Sequence, residues 1–283
     1  MTDAAEPHVE TVADAQPLTL DTHYDDHGGD AAAPAAANGA VEETVEIVKT
    51  VVYALLIALV LRIFLFQPFT IPSASMEPNL LQGDYIIVSK YSYGYSKHSI
   101  PFSPPLFKGR IFARSPERGD IIVFKLPSDN HTDYIKRLIG LPGDRVQVTG
   151  GVVSVNGKVI TRVADGPGDP GTCWNGSTVQ RFRETNMTGR KYETYDCGPR
   201  GDVDDTGVYV VPQGHYFFMG DNRDNSLDSR VAPESSGVGF VPAENLVGHA
   251  RIILLSWNKQ AELFKPWTWF LDARPSRFFH VLK

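Results

Sequence analysis

Cysteine is scarce in this chain of 283 residues, which contains only two. That number excludes a disulfide-dense scaffold and a multi-cysteine zinc module. The HExxH, CxxC and EF-hand patterns are also missing, so the sequence predicts no metal site and no cofactor. The net charge of -6 gives no basic footprint, which argues against nucleic acid as a partner. With 42% hydrophobic and 21% charged residues, the chain is neither fully disordered nor collagen-like.

Lysine and arginine are absent from positions 1–48, which hold eleven acidic side chains. The remainder carries 27 basic and 22 acidic residues, so an acidic segment precedes a mildly basic body. The acidic segment has too few large apolar side chains to offset the entropy lost on ordering. We therefore predict a disordered, solvated tail over residues 1–46, with an acidic partner-binding tail as the alternative.

A long apolar run follows the tail, from Thr50 to Phe69, and Arg62 is its one charged residue. A run of this length matches a bilayer's hydrocarbon core, about 30 Å at a rise of about 1.5 Å per residue. Pro68 marks its end, because proline disfavours helix at the residue before it. We predict a transmembrane signal-anchor helix over residues 47–67, with a buried core helix as the alternative.

The body after this run is predicted to be mainly β, because short apolar runs alternate with turn formers. The dipeptide Asn156-Gly157 between two β-branched runs is a strong hairpin signal. We expect no amphipathic helix of three turns in the body. The predicted strands are Tyr85–Ser89, Ile121–Lys125, Tyr134–Ile139, Arg145–Thr149, Val152–Val155, Val208–Val211, Tyr216–Met219 and Leu246–Leu255.

A polar, glycine-rich insertion with Cys173 and Cys197 is predicted over residues 151–212. It separates the two parts of the β body, residues 68–150 and 213–283. The expected fold is therefore an antiparallel β-sheet body with a smaller β insertion, preceded by one transmembrane helix and a disordered N-terminal tail.

A short loop directly after the apolar run is the first of four blocks that carry chemistry. Its sequence Ser-Ala-Ser-Met-Glu-Pro, residues 73–78, lies between two prolines that stiffen it, so it can hold a hydroxyl in a fixed pose. A lone loop serine is more often a turn residue. Gly-x-Ser-x-Gly is missing, which disfavours a hydrolase with a nucleophile elbow.

A lysine between apolar neighbours is the second chemical signal. In a strand, Tyr134, Lys136 and Leu138 share one face. A lysine with its ordinary pKa of about 10.4 is a poor base at neutral pH, but burial disfavours the ammonium and can lower the pKa by several units. Lys125 is a similar candidate by periodicity, and an edge-strand lysine with a solvated head is the alternative for both.

These blocks resemble the signature boxes of bacterial type I signal peptidase, a Ser-Lys family of the S26 class. The boxes are Ser-Ala-Ser-Met-Glu-Pro at 73–78, Gly-Asp-Ile-Ile-Val-Phe-Lys at 119–125, Tyr-Ile-Lys-Arg-Leu-Ile-Gly-Leu-Pro-Gly-Asp at 134–144, and Gly-Asp-Asn-Arg-Asp-Asn-Ser-Leu-Asp-Ser-Arg at 220–230. They occur in family order behind an apolar run. The resemblance extends from about residue 48 to the C-terminus, and four ordered blocks are far more specific than one motif.

The resemblance implies a role for each matching residue. Ser75 would be the nucleophile and Lys136 the general base, replacing the Ser-His-Asp triad. The Ser75 backbone N–H and the Ser73 hydroxyl would hold the oxyanion. Ser226 would orient the lysine, and Gly220 would keep space beside it. Asp228 and Arg230 would form a structural ion pair, with Arg137 as a further partner.

The resemblance also implies the reaction, which is removal of N-terminal signal peptides from exported preproteins by cleavage after small residues of the Ala-x-Ala type. The substrate would lie extended against strand edges, bonded through its main chain. The pockets would be shallow and apolar, and the candidates for lining them are Phe69, Ile71, Pro72, Met76, Tyr134 and Ile135.

The implied location is the bacterial inner membrane, with one span and the body on the periplasmic or outer side. Lys49 is the only base before the apolar run, so charge bias alone favours this orientation only weakly. The expected partners are preproteins and the lipid bilayer, and the chain is expected to be a monomer. An oxidising compartment would allow Cys173 and Cys197 to pair, which contributes about 3–4 kcal/mol in the chain-entropy model; two buried free thiols are the alternative.

Two rival functions remain at the level of sequence. A cytosolic Ser-Lys autoprotease of the repressor type would need a DNA-binding head, and residues 1–48 offer only an acidic segment. A non-catalytic, membrane-anchored β-domain that binds proteins would keep its function without Ser75 or Lys136.

Overall fold

A computed structural model of the chain describes residues 35–170, 173, 178–198, 201–258 and 266–282. The chain divides into two compact units, residues 1–52 and residues 53–283. The predicted tail falls in the first unit, and its residues 1–34 lie outside the described residues.

An apolar helix, α1, extends over Ala35–Phe64. Its segment Val41–Phe64 has a mean hydropathy of 2.3 and no buried side chains, so it is long and apolar enough to cross a membrane. The helix begins before the predicted residue 47 and includes residues 35–46, which we had assigned to the disordered tail. It also ends earlier than predicted, because the residues around Pro68 pair as a strand instead.

The body is built on one antiparallel sheet of eight strands. Seven follow the order β1-β2-β14-β3-β4-β12-β13, and β15 pairs with β14. Pro68 is tolerated in β1 because this strand lies at the sheet edge, where a missing N–H leaves no ladder bond unmade. The strands of this sheet are β1 Phe66–Thr70, β2 Asp84–Ser89, β3 Ile121–Lys125, β4 Asp133–Gly140, β12 His215–Met219, β13 Val241–Pro242, β14 Leu246–Ser256 and β15 His280–Val281.

The described part of the body also contains two smaller antiparallel sheets. One has the order β11-β5-β6-β7 and the other β10-β9-β8. Asn156 and Gly157 form the predicted hairpin turn between β6 and β7, with φ of 54° and 75°. The strands are β5 Arg145–Thr149, β6 Val152–Val155, β7 Lys158–Val159, β8 Thr161–Pro167, β9 Gln180–Thr185, β10 Lys191–Asp196 and β11 Tyr209–Val210; a short helix, α2, covers Pro266–Leu271.

The central strands β3 and β4 are covered on both faces by apolar side chains. One cluster contains Ile86, Val123 and Ile135, and another contains Phe124 and Phe218. The Phe124 and Phe218 rings stack with their centroids 4.7 Å apart. Any side chain that β4 carries into this region is therefore desolvated, whatever its chemistry.

The predicted strands agree with the structure to within one residue at either end, and Ile121–Lys125, Arg145–Thr149 and Val152–Val155 agree at both ends. Three strands within the predicted insertion, β8 to β10, were not predicted individually. Their side chains are largely polar and many are exposed, so they lack the alternation of apolar residues that marks a half-buried strand.

The insertion is cross-linked by a disulfide between Cys173 and Cys197, whose Cα atoms are 5.8 Å apart. Cys173 packs with Val179 and Tyr195 in a small buried cluster. The structure thus selects the paired alternative over two free thiols.

We predict that reducing this disulfide lowers the free energy of unfolding by about 3 kcal/mol, because it releases a closed loop in the unfolded chain. Urea unfolding of the full chain in detergent, with and without dithiothreitol, measures the change. A Cys173→Ala/Cys197→Ala variant is the control, since its unfolding midpoint should not respond to reductant. Equal midpoints for the parent chain in both conditions would contradict the prediction.

Candidate active site

Ser75 lies in the tight loop between β1 and β2. A hydrogen bond from the Glu77 N–H to the Ala74 carbonyl, 3.1 Å, closes the turn around it. The loop is also held from outside: Asn222 donates its backbone N–H to the Ser75 carbonyl at 3.1 Å and its side-chain amide to the Ala74 carbonyl at 3.2 Å. The Ser75 side chain is thereby fixed at the wall of a cleft, with 7% of the residue exposed.

Lys136 extends from the centre of β4 to Ser75. Its Nζ lies 2.6 Å from the Ser75 Oγ, across 61 residues of sequence, and only 4% of the residue is exposed. Burial lowers the pKa of Lys136 to about 8, although the negative charges of Asp228 and Asp221 act in the opposite direction. The periodicity argument for a desolvated lysine therefore holds for Lys136, whereas the rival lysine, Lys125, forms an ion pair with Asp133 at 3.0 Å.

The Ser73 hydroxyl lies beside the nucleophile, 3.3 Å from the Ser75 Oγ. A nucleophile in contact with a desolvated amine and a second hydroxyl can attack a carbonyl, pass its proton to the amine and receive a hydrogen bond at the developing oxyanion. This is the arrangement that a Ser-Lys hydrolase requires.

Ser226 lies in the same cleft, but it does not form the expected hydrogen bond with Lys136. Its Oγ is buried and has no hydrogen-bond partner among the described residues. The predicted lysine-orienting bond is therefore missing from this arrangement, in which the hydrogen bond of the Lys136 Nζ goes to Ser75.

Gly220 lies against the nucleophile loop at a distance that excludes a side chain. A Cβ added there would lie 2.5 Å from both the Ser75 carbonyl oxygen and the Ser226 Cβ. Real Cβ atoms do not approach so closely, so the glycine is what allows the two segments to meet.

The predicted ion pair between Asp228 and Arg230 is present and buried. The Arg230 guanidinium donates to the two carboxylate oxygens at 2.9 and 2.8 Å, and the Gly220 N–H donates to the same carboxylate at 3.0 Å. Arg137, predicted to join this pair, instead donates to both oxygens of Asp221 at 2.7 and 2.8 Å. The reason is position: Arg137 and the start of the 220–230 loop lie on paired strands, where Met219 faces Arg137.

Sequence analysis missed three residues that hold the site together. Asn222 carries the bonds to the nucleophile loop, and Asp221 anchors Arg137. Arg223 forms a bidentate pair with Glu184 of β9 at 2.7 and 2.6 Å, and the pair is almost completely buried. The composition of the 220–230 block signals ion pairs, but the polar insertion gives no hint that Glu184 is one of the partners.

The cleft around the dyad has a volume of about 1100 Å³. Of the six predicted substrate-binding residues, Pro72, Tyr134 and Ile135 line it. The other three are not among the described residues that line it: Ile71 and Met76 are buried core residues, and Phe69 packs against the same core.

The opposite wall of the cleft was not expected from sequence, because it comes from the end of the insertion and from the 220–230 loop. The lining residues on that side are Cys197, Gly198, Gly201, Asp202, Val203, Asp224, Asn225, Ser226, Leu227 and Val231.

Comparisons with known proteins show the family of the chain. The family model described as "Signal peptidase, peptidase S26" matches residues 44–257. The chain belongs to this family. Signal peptidase I of Rickettsia typhi is 44% identical over 243 residues, which cover 78% of this chain and 88% of the relative. Signal peptidase I of Rickettsia akari is 47% identical over 241 residues, which cover 78% of this chain and 87% of the relative.

A crystal structure of a signal peptidase I from Enterococcus faecalis also matches, at 26% identity and a TM-score of 0.28, over 48% of this chain and 97% of that one. The family membership confirms the resemblance seen in the four sequence blocks. It makes the chain a serine endopeptidase of the signal peptidase family.

We predict that Gly220→Ala lowers peptide cleavage by about tenfold or more, because the added Cβ displaces the Ser75 loop from the Lys136 amine. An internally quenched peptide substrate measures the rate. Gly207→Ala is the matched control, since an added Cβ there meets nothing within 4 Å. Full activity in Gly220→Ala would show that the close approach is not required.

Proposed function

We propose that this chain is a membrane-anchored serine endopeptidase that removes N-terminal signal peptides from exported preproteins, with Ser75 as nucleophile and neutral Lys136 as general base. The observation that carries the proposal is the 2.6 Å contact between the Lys136 Nζ and the Ser75 Oγ inside a buried site. A lysine without a neutralising ion pair is unfavourable in a protein interior, so its position here calls for a chemical role.

The reaction follows from the positions of the two groups. The neutral amine accepts the Ser75 proton while the Ser75 Oγ attacks the scissile carbonyl carbon and forms a tetrahedral oxyanion. The Ser75 N–H and the Ser73 hydroxyl donate hydrogen bonds to this oxygen. Collapse breaks the peptide C–N bond, and the Lys136 ammonium returns its proton to the leaving amine. The same lysine then takes a proton from water, which hydrolyses the acyl-enzyme.

The cleft fits an extended peptide chain. Pro72 and Ser73 of the nucleophile loop line it, and so do Tyr134 and Ile135 at the start of β4. Main-chain groups along these two segments can bond an extended substrate in the manner of an added strand. Membership of the signal peptidase family supports cleavage after small residues of the Ala-x-Ala type.

The apolar segment of α1 supports a membrane location for the site. It would anchor the body in the inner membrane, as a monomer with its body on the outer side, where signal peptides of exported proteins emerge. The disulfide is typical of an oxidising compartment and agrees with that side. The exposed aromatic residues Trp267 and Phe270 near the C-terminus suit the bilayer surface. Tethering raises the local concentration of substrate without any added contact.

We predict that Ser75→Ala and Lys136→Met each reduce cleavage of a preprotein by at least about 10²–10⁴-fold without unfolding the body. Gel-based processing of a preprotein by the full chain measures the rate, and circular dichroism checks the fold. Lys158→Met is the matched control, because it removes an exposed lysine on β7. Full processing by both dyad variants would instead favour a non-catalytic β-domain that binds proteins.

The lowered pKa of Lys136, about 8, predicts the dependence of cleavage on pH. The base acts when it is unprotonated, so kcat/KM should rise with pH and reach half of its maximum near pH 8. The assay is initial-rate cleavage of the quenched peptide from pH 6 to 10.5. A rate that climbs only above pH 10 would indicate a solvated lysine with its ordinary pKa.

A further inference from the structure

A second cavity, of about 270 Å³, lies where α1 enters the body. The residues that line it come from the end of α1, from β1, from the turn after β2, from residues 98–103, from the end of β3 and the loop that follows it, and from the starts of β4 and β14. It is smaller than the roughly 300–1,000 Å³ of typical small-molecule sites, so it suits a compact polar group. Nothing in the Ser-Lys chemistry uses it.

The cavity carries an excess of positive charge. Arg62, Lys90 and Lys125 line it, and Asp133 is the one acidic lining residue. Asp133 pairs with Lys125 at 3.0 Å, which leaves the charges of Arg62 and Lys90 without an acidic partner among the described residues. Burial and, after it, the positive charge of Arg62 lower the pKa of Lys90 to about 8, although the negative charge of Asp133 acts in the opposite direction. An anion between the two would relieve this repulsion.

The cavity also contains unused hydrogen-bonding capacity. Lys90 is 2% exposed, and its Nζ makes one hydrogen bond within the described part of the chain, to the Ser99 carbonyl at 2.6 Å. His98 is 4% exposed, and its ring bonds to Ser103 through Nδ1 at 2.9 Å. The other ring nitrogen, Nε2, is buried and has no partner among the described residues. Buried polar atoms in proteins are nearly always bonded, so an orphan lining a basic cavity points to a ligand.

We propose that this cavity binds the phosphate group of an anionic phospholipid, with Arg62 and Lys90 as the charged contacts and His98 as a further hydrogen-bonding partner. The Arg62 guanidinium can bind two phosphate oxygens at once, and the Lys90 ammonium supplies a point charge.

The position of the cavity favours a lipid over free phosphate. Arg62 is two residues from the end of the apolar span Val41–Phe64, so it lies about 3 Å along the helix axis from that end, at the level of the headgroups if the helix spans a bilayer. Phe102 also lines the cavity and is fully exposed, so an apolar side chain stands beside the basic groups. A basic cavity with an apolar rim matches a phospholipid, which has both kinds of surface.

Native mass spectrometry of the full chain in detergent tests this proposal, with dioleoylphosphatidylglycerol as the probe and dioleoylglycerol, which lacks the phosphate, as the comparison. Arg62→Gln and Lys90→Met should each weaken phosphatidylglycerol binding by about tenfold, the effect of losing one charge-assisted hydrogen bond. Arg62 is exposed, so its variant tests the site even if Lys90→Met fails to fold.

Two controls show whether a loss of lipid affinity comes from this cavity. Lys108→Met removes an exposed base outside the cavity and should leave the affinity unchanged, and Ser75→Ala should bind the lipid like the parent chain whatever happens to cleavage. The proposal is overturned by unchanged affinity in Arg62→Gln, by equal binding of dioleoylglycerol, or by an equal loss in Lys108→Met. Inorganic phosphate should displace the lipid only at a far higher concentration; displacement at equal concentration would make this a free-phosphate site and overturn the lipid assignment.

Discussion

The site depends on the burial of one lysine amine against one serine hydroxyl. In water the Lys136 ammonium would hold its proton at neutral pH and Ser75 would have no base. The central strand β4 carries Lys136 into a region covered by apolar side chains on both faces, where the charged form loses its hydration. The fold therefore supplies the catalytic chemistry through desolvation, and a tight loop completes it by bringing Ser75 to the amine.

Two neighbouring carboxylates would cancel this effect if they were free. Asp221 and Asp228 both raise the pKa of Lys136, yet each forms a bidentate pair with a buried arginine, Arg137 and Arg230 respectively. Because each carboxylate is already paired with a guanidinium group, it stabilises the Lys136 ammonium less, and the lysine can lose its proton more readily. Breaking such a buried pair by removing one partner typically costs about 3–5 kcal/mol, so the network also stabilises the 220–230 loop against the body.

Much of the chemistry and the sheet could be predicted from sequence. The pairing of Ser75 with Lys136 came from the resemblance of the four ordered blocks to the signal peptidase family. The position of Lys136 between apolar residues in a strand, and of Ser75 in a loop bracketed by prolines, agrees with it but left other roles open. The resemblance places Ile71 and Met76 near Ser75, but the sequence cannot tell which side of the loop meets the core. The contribution of Glu184 depends on packing between segments far apart in sequence. The predicted end of α1, residue 67, was too late, because Pro68 lies in the edge strand β1 and does not mark the end of the helix.

The most direct test of this account is the pKa of the Lys136 amine itself. Nitrogen NMR of the full chain with ¹⁵N-labelled lysine would follow its Nζ through a pH titration, and Lys136→Met would assign the signal by its disappearance. The account predicts a midpoint near pH 8. A midpoint near the ordinary lysine value of about 10.4 would show that the amine is solvated and would contradict the account.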